Sequence, residues 1–105
     1  MRFSTDDTAR LRRGLMKRGR DLAELLAQVL AGKKPPSLAA LLAARPGMRP
    51  EEALRMTLDA VEARRKLLDA DDDRFGRCDI CGADLGLAAL GEIPWADRCA
   101  AHQAQ

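Results

Sequence analysis

The stretch RFGRCDICG, residues 74–82, places two cysteines, Cys78 and Cys81, two residues apart. Seventeen residues separate Cys81 from Cys99, and His102 follows Cys99 at the same short spacing, so that the pattern is C-x2-C-x17-C-x2-H. A two-residue spacing lets each pair bend around one metal ion, and two such pairs supply four tetrahedral ligands. We therefore predict one zinc ion per chain, bound by Cys78, Cys81, Cys99 and His102.

These four positions hold every cysteine and the single histidine of the 105-residue chain. Gly82 permits the tight turn that follows the second ligand. Four protein ligands leave no open coordination position, which predicts a structural zinc site rather than a catalytic one. The sequence has no second histidine, no phosphate-binding glycine loop and no nucleophile beside a base, so we do not expect an enzyme.

Two other interpretations of the cysteines stay open. The thiols could be small buried side chains beside an unrelated terminal histidine. Cys78 and Cys81 could instead form a dithiol redox switch, which leaves Cys99 and His102 without a role.

Upstream of the cysteines, apolar residues recur at helical spacing. Glu51 to Ala70 forms one predicted helix, with Pro50 in its first turn and the acidic run Asp69–Asp73 opening a polar linker at its end. One seam of this helix consists of Leu54, Leu58, Val61, Arg65 and Leu68. Adjacent acids in such a charged linker are expected to be solvated rather than catalytic.

The first helix is predicted to begin at Ser4 and Thr5 and to end near Gly32, before Pro35-Pro36. Its apolar stripe consists of Leu11, Leu15, Leu22, Leu25 and Val29, with Arg18 at an interrupting seam position. A short helix, Leu38 to Ala44, follows with Ser37 as its expected cap.

The fold class that follows is mainly α: an antiparallel, coiled-coil-like helical hairpin over residues 1–73 and a small Cys3His zinc finger over residues 74–105. Leucine and alanine supply most of the apolar content and favour helix. Among the three aromatic residues, Phe75 and Trp95 are expected to fill the core beside the metal loop rather than to stack on bases.

Charge is unevenly distributed along the chain, although the net charge is only +2. Residues 1–20 carry seven basic and two acidic side chains, and residues 51–73 carry eight acidic and four basic ones. These opposite fields could attract each other across the hairpin, steer a partner, or belong to two solvated faces. In the finger, acids outnumber arginines, so we expect no sequence-specific DNA binding by it.

No apolar run approaches the ~18 residues that cross a membrane; the longest, Leu38 to Ala44, has seven. The first residues lack the apolar stretch of a signal peptide and include Asp6 and Asp7. We therefore expect a cytoplasmic protein without a membrane partner, whose thiols are reduced and free to bind metal.

The stretch 74–82, together with Leu85, Ala88–Leu90 and Ile93–Cys99, resembles the zinc finger of the DksA/TraR family. A long helix leading directly into the finger is also similar. The resemblance implies a bacterial transcription regulator whose helical hairpin enters the secondary channel of RNA polymerase. In that family, acidic residues at the hairpin tip act near the polymerase active site, and the best-known member acts together with guanosine tetraphosphate.

Two departures from the family pattern concern the metal ligands and the hairpin tip. His102 stands where the family usually has a fourth cysteine. Residues 32–49, the expected tip, contain no acid, and their charged members are Lys33, Lys34, Arg45 and Arg49. The expected function is an RNA polymerase-binding regulator with no small-molecule substrate. The open alternatives are a zinc-stabilised adaptor that binds another protein, and a thiol sensor that releases zinc on oxidation.

Overall fold

The computed structural model describes residues 3–102 of the chain, and this part is mainly helical. The helices are α1, Thr5–Leu30; α2, Leu38–Ala44; α3, Pro50–Asp69; and α4, Leu87–Glu92; a 3-10 turn covers Ala100–His102. The predicted fold class is confirmed, with a packed helix pair and a Cys3His group near the carboxyl end. The outer ends of both predicted domains, residues 1–2 and 103–105, lie outside the described residues.

Helix α1 begins where the sequence predicts. The hydroxyl of Ser4 accepts a hydrogen bond of 3.0 Å from the backbone N–H of Asp7, which satisfies one of the free donors of the first turn. At the other end Gly32 adopts a φ of +83°, a conformation that terminates the helix without a side-chain clash.

Helix α2 has its predicted bounds, but the prediction that Ser37 caps it is wrong. Ser37 has helical backbone angles, and its side chain makes no capping hydrogen bond. The carbonyls of Pro35 and Pro36 instead accept from the N–H groups of Leu38 and Ala39, at 3.1 and 3.3 Å. The two prolines therefore build the turn that starts α2.

Helix α3 has Pro50 in its first turn, where its missing N–H costs nothing, and ends at Asp69 inside the acidic run. Two residues later Asp71 adopts a φ of 54°, and this left-handed residue turns the chain toward the finger. The polar end of the helix predicted from Asp69–Asp73 is thus confirmed.

Helices α1 and α3 pack as an antiparallel pair around a core of leucines and one valine. Arg12 in the first half of α1 forms an ion pair of 2.6 Å with Asp69 at the end of α3, which fixes the antiparallel direction. The buried residues of the pair include Leu11, Leu15, Leu22, Leu54, Val61 and Leu68. Coiled-coil geometry in the strict sense stays a prediction. No helix within residues 3–102 combines the length and apolarity needed to cross a bilayer.

The finger folds back onto one side of the hairpin. Phe75 and Leu90 belong to the same core as α1 and α3, and they are 2% and 0% exposed. Phe3 meets Phe75 edge to face, with ring centroids 6.0 Å apart. Phe75 therefore fills the core, as the sequence predicts, and the finger and hairpin share one hydrophobic core.

Candidate metal centre

The first cysteine pair sits in a tight loop that depends on glycine. Gly76 and Gly82 have φ values of +75° and +74°, which favour residues without a Cβ. The N–H of Cys78 donates to the carbonyl of Ala83, and the N–H of Gly82 donates to the carbonyl of Cys78, both at 2.9 Å. These bonds close the loop and turn both sulfurs toward the second pair.

Helix α4 and the segment after it position the second pair, Cys99 and His102. Helix α4, Leu87–Glu92, forms part of the stretch between the two pairs. The N–H of Asp79 donates to the carbonyl of Asp97 at 2.8 Å, which ties the first loop to the segment before Cys99. The N–H of His102 donates to the carbonyl of Cys99 at 2.9 Å, so this pair also forms one short turn.

All four predicted residues meet at one place, with ligand atoms within 4.8 Å of one another. The sulfurs of Cys81 and Cys99 are 3.8 Å apart, and Nδ1 of His102 lies 3.5 Å from the sulfur of Cys78 and 3.1 Å from that of Cys99. Tetrahedral zinc with Zn–S bonds of about 2.3 Å sets two sulfurs about 3.8 Å apart and a sulfur and a nitrogen about 3.5 Å apart. The donor set fits one zinc ion in type; the Cys81–Cys99 and Cys78–His102 distances match the tetrahedral spacing, and the 3.1 Å between Cys99 and His102 is shorter than it.

The electrostatics of the cluster favour a cation. Burial raises the pKa of the Cys78 thiol, but the backbone N–H groups of Cys81, Cys99 and Ile80 outweigh it and lower that pKa to about 6. For Cys81, the N–H of Ala83 lowers the pKa, but burial and the neighbouring Cys78 and Cys99 thiols raise it overall. The Cys78 thiolate therefore forms readily, and its negative charge disfavours deprotonation of Cys81. A divalent cation between the sulfurs would relieve that repulsion.

Arg64 of α3, which no prediction from the sequence includes, supports the first loop. Its side chain is 9% exposed and forms an ion pair of 2.5 Å with Asp79, the neighbour of Cys78. The sequence predicts Arg65 at the seam position, whereas Arg65 lies at the edge and pairs with Glu62 and Asp69. Val61, Arg64 and Leu68 are also separated by helical spacings of three and four residues. A seam through these three positions would therefore identify Arg64.

Trp95 is a second residue through which the finger contacts α1. Its ring lies under the guanidinium of Arg18, whose Cζ is 4.8 Å from the ring centroid. Such a cation–π contact lets a charged residue occupy a seam position beside the core. The interruption at Arg18 in the stripe of α1 is thus the place where the finger docks.

The expected tip, at the α2 end of the hairpin, is basic. Lys33 and Lys34 are exposed, whereas Arg45 folds back and donates from Nε to the hydroxyl of Thr57 at 3.2 Å. The acids Asp6 and Asp7 lie in the first turn of α1, at the opposite end of the hairpin.

Comparison with known proteins gives one partial match. No family model and no solved structure matches the chain. The chain is 40% identical over 52 residues to the RNA polymerase-binding transcription factor DksA of Haemophilus influenzae. The match includes 50% of this chain and 34% of that relative, so the chain spans about a third of the relative's length. This similarity supports a DksA-like relationship.

Proposed function

We propose that this chain is an RNA polymerase-binding transcription regulator that carries one structural zinc ion and has no catalytic site of its own. The observation that supports this proposal most directly is the 40% identity over 52 residues to a transcription factor named for its binding of RNA polymerase. The Cys3His cluster agrees with it, because the finger is the part of the sequence that resembles the DksA/TraR family.

Zinc would hold the finger in the form that packs on the hairpin. The two ligand pairs lie on separate segments, and a single ion bound by Cys78, Cys81, Cys99 and His102 would join them. Few large apolar side chains are available between residues 74 and 102, whereas structural zinc contributes about 10–16 kcal/mol of apparent binding free energy at neutral pH. We therefore assign residues 74–105 to a zinc-dependent unit and residues 1–73 to the hairpin that it supports.

The hairpin would be the part that reaches into a partner. A helix as long as α1, with 26 residues, spans about 39 Å, and the whole molecule measures 44 × 27 × 20 Å. The finger covers one side of the hairpin near Gly14 and Arg18, whereas Lys33 and Lys34, between α1 and α2, are exposed, and this end would be the one to enter a narrow channel.

Binding to purified bacterial RNA polymerase tests this function. The full chain is immobilised, and polymerase binding is measured at low and at moderate salt, since a contribution of the basic α1 makes the affinity fall as salt rises. Cys99→Ser should lose both the zinc, seen by native mass spectrometry as one ion per wild-type chain, and most of the polymerase binding.

Ala101→Ser is the matched control, because Ala101 is exposed in the same turn and offers no ligand. It should keep both zinc and binding. If the wild-type chain holds zinc but does not bind polymerase at low salt, the polymerase proposal is wrong and the adaptor alternative is favoured.

A further inference from the structure

A pocket lies where α1, α2, α3 and the finger meet. Its volume is about 400 Å³, within the range of about 300–1,000 Å³ that is usual for small-molecule sites. Leu25, Leu41 and Trp95 line it and pack against the hydrophobic core, to which Val61, also in the lining, belongs. The pocket therefore offers an apolar surface to a ligand.

Two arginines also line this pocket, Arg18 from α1 and Arg45 from the carboxyl end of α2. Neither forms an ion pair with another residue of the part of the chain that the structure describes. Five other arginines do form one, namely Arg12, Arg55, Arg64, Arg65 and Arg74. The pocket thus contains two cationic groups that the described chain does not neutralise.

Both arginines are held in place by neighbouring side chains. Nε of Arg45 donates to the hydroxyl of Thr57 at 3.2 Å, and that hydroxyl donates to the carbonyl of Ala53 at 2.7 Å. Arg18 stacks on Trp95, and its Nε is buried without an acceptor among residues 3–102. Cations that are already positioned reduce the entropy that is lost when an anion binds.

The charge of the lining indicates which anion fits. Asp97 is the one acid among the described residues that line the pocket, so two guanidinium groups and one carboxylate give a net charge of +1. A single carboxylate would neutralise this charge, and guanidinium groups bind carboxylates through paired N–H donors. We propose that the pocket binds a small apolar carboxylic acid, whose carboxylate faces Arg18 and Arg45 and whose apolar part lies against Leu41 and Trp95.

Such a ligand would contact α2 and the finger at the same time. The lining includes Ala40 and Ala44 of α2 together with Trp95 and Asp97 of the finger. A bound acid would therefore join the expected tip of the hairpin to the part of the chain that carries the metal ligands. This ligand is an effector rather than a substrate, and its binding is independent of the polymerase binding proposed above.

Titration of the zinc-loaded full chain with sodium octanoate, without polymerase, tests the site. Trp95 is the only tryptophan of the chain, so its fluorescence reports on the pocket directly. Octanoate should change this fluorescence saturably, and calorimetry should show one octanoate per chain. The uncharged 1-octanol, which has the same chain length, should bind at least about tenfold more weakly because it lacks the charge-assisted hydrogen bonds.

Variants separate the pocket from a general effect of charge. Arg45→Gln should weaken octanoate binding by at least about tenfold and leave octanol binding unchanged. Arg13→Gln is the matched control, because Arg13 is an exposed arginine of α1 outside the lining, and it should bind octanoate as the wild type does. Ala60→Leu adds a larger side chain at an exposed position of the lining and should weaken the binding of both ligands.

Circular dichroism of each variant checks that the helices remain folded. A wild-type chain that shows no saturable binding of octanoate at millimolar concentrations overturns the proposal. Equal affinities for octanoate and octanol overturn the recognition of the carboxylate. If Arg13→Gln weakens octanoate binding as much as Arg45→Gln does, the affinity follows net charge and the assignment to this pocket is wrong.

Discussion

The guanidinium of Arg64 lies 2.5 Å from the carboxylate of Asp79, and the two side chains differ greatly in exposure, at 9% and 53%. The pair connects α3 to the residue that follows Cys78. Because Arg64 is buried and Asp79 is largely in water, removing Arg64 and removing Asp79 should lower the free energy of unfolding by different amounts. Loss of Arg64 leaves a solvated carboxylate, whereas loss of Asp79 leaves a buried cation without its partner.

We therefore expect Asp79→Ala to lower the free energy of unfolding by about 2–3 kcal/mol and Arg64→Met by less than about 1 kcal/mol. Methionine keeps the apolar contacts of the arginine stem. Urea denaturation of the zinc-loaded chain measures both. Glu92→Ala, at an exposed position of α4, is the control and should stay within about 0.5 kcal/mol of wild type. If Asp79→Ala and Arg64→Met lowered the free energy of unfolding equally, the burial of Arg64 would not be what makes the loss of Asp79 costly.

The two glycines of α1 should respond oppositely to alanine. Gly14→Ala gains about 0.5–1 kcal/mol of helix propensity but forces a methyl group against the buried ring of Pro94, at 2.7 Å. Overpacking of this kind costs about 1–3 kcal/mol, so a net loss of about 1 kcal/mol is expected. Gly19→Ala has open space and should stabilise the chain by about 0.5–1 kcal/mol. Thermal unfolding measures both, and stabilisation by Gly14→Ala would show that Pro94 is not held there.

The acidic run after α3 offers a pH measurement. The side chain of Arg74 and then its backbone N–H donate to Asp72 and lower the pKa of that carboxyl from 3.8 to about 2. The pKa is depressed in the folded state, so the stabilising contribution of the pair is present above about pH 3.8 and is lost as the pH falls through about 2. Arg74→Ala keeps the backbone donor and should move the pKa of Asp72 part of the way back toward 3.8. Carboxyl-detected NMR titration measures this shift, and an unchanged pKa would exclude the arginine as its cause.

The helices and the clustering of Cys78, Cys81, Cys99 and His102 could be predicted from the sequence because both follow from spacing. Leu11, Leu15 and Leu22 recur at helical intervals, and the four clustered residues have the spacing of paired metal-binding turns. The bounds of α2 also agree with their prediction, although the cap predicted for its first turn does not.

The contacts between finger and hairpin could not be predicted, since they depend on how distant segments meet. Arg64 and Arg65 both have helical spacing to Leu68, and only the position of Asp79 decides which of them is buried. Likewise, a short turn before α2 could be capped by Ser37 or by the proline carbonyls, and local geometry selects the prolines. The need for glycine at position 14 could not be predicted either, because it depends on Pro94 packing against α1 at that point.

His102 is expected to be a zinc ligand bound through a neutral imidazole. Its Nδ1 lies 3.1 and 3.5 Å from the sulfurs of Cys99 and Cys78. X-ray absorption of the zinc-loaded chain should report three sulfurs and one nitrogen, and His102→Ala should lose the nitrogen and bind zinc at least about tenfold more weakly. Because the ligands must be deprotonated, zinc should be released as the pH falls. An unchanged nitrogen contribution in His102→Ala would show that another donor completes the site.

The basic tip should let the protein bind RNA polymerase while changing the active site little. The DksA/TraR resemblance implies acidic tip residues near the catalytic magnesium, whereas this chain presents the exposed ammonium groups of Lys33 and Lys34, which a metal cation repels. We expect the wild-type chain to leave open-complex lifetime and transcript cleavage almost unchanged at concentrations that saturate binding. Lys34→Asp should increase its effect on both measurements, and Lys66→Asp, an equal charge change on α3 far from the tip, should not. Strong inhibition by the wild-type chain would instead indicate that the opposite end of the hairpin, with Asp6 and Asp7, is the end that reaches the active site.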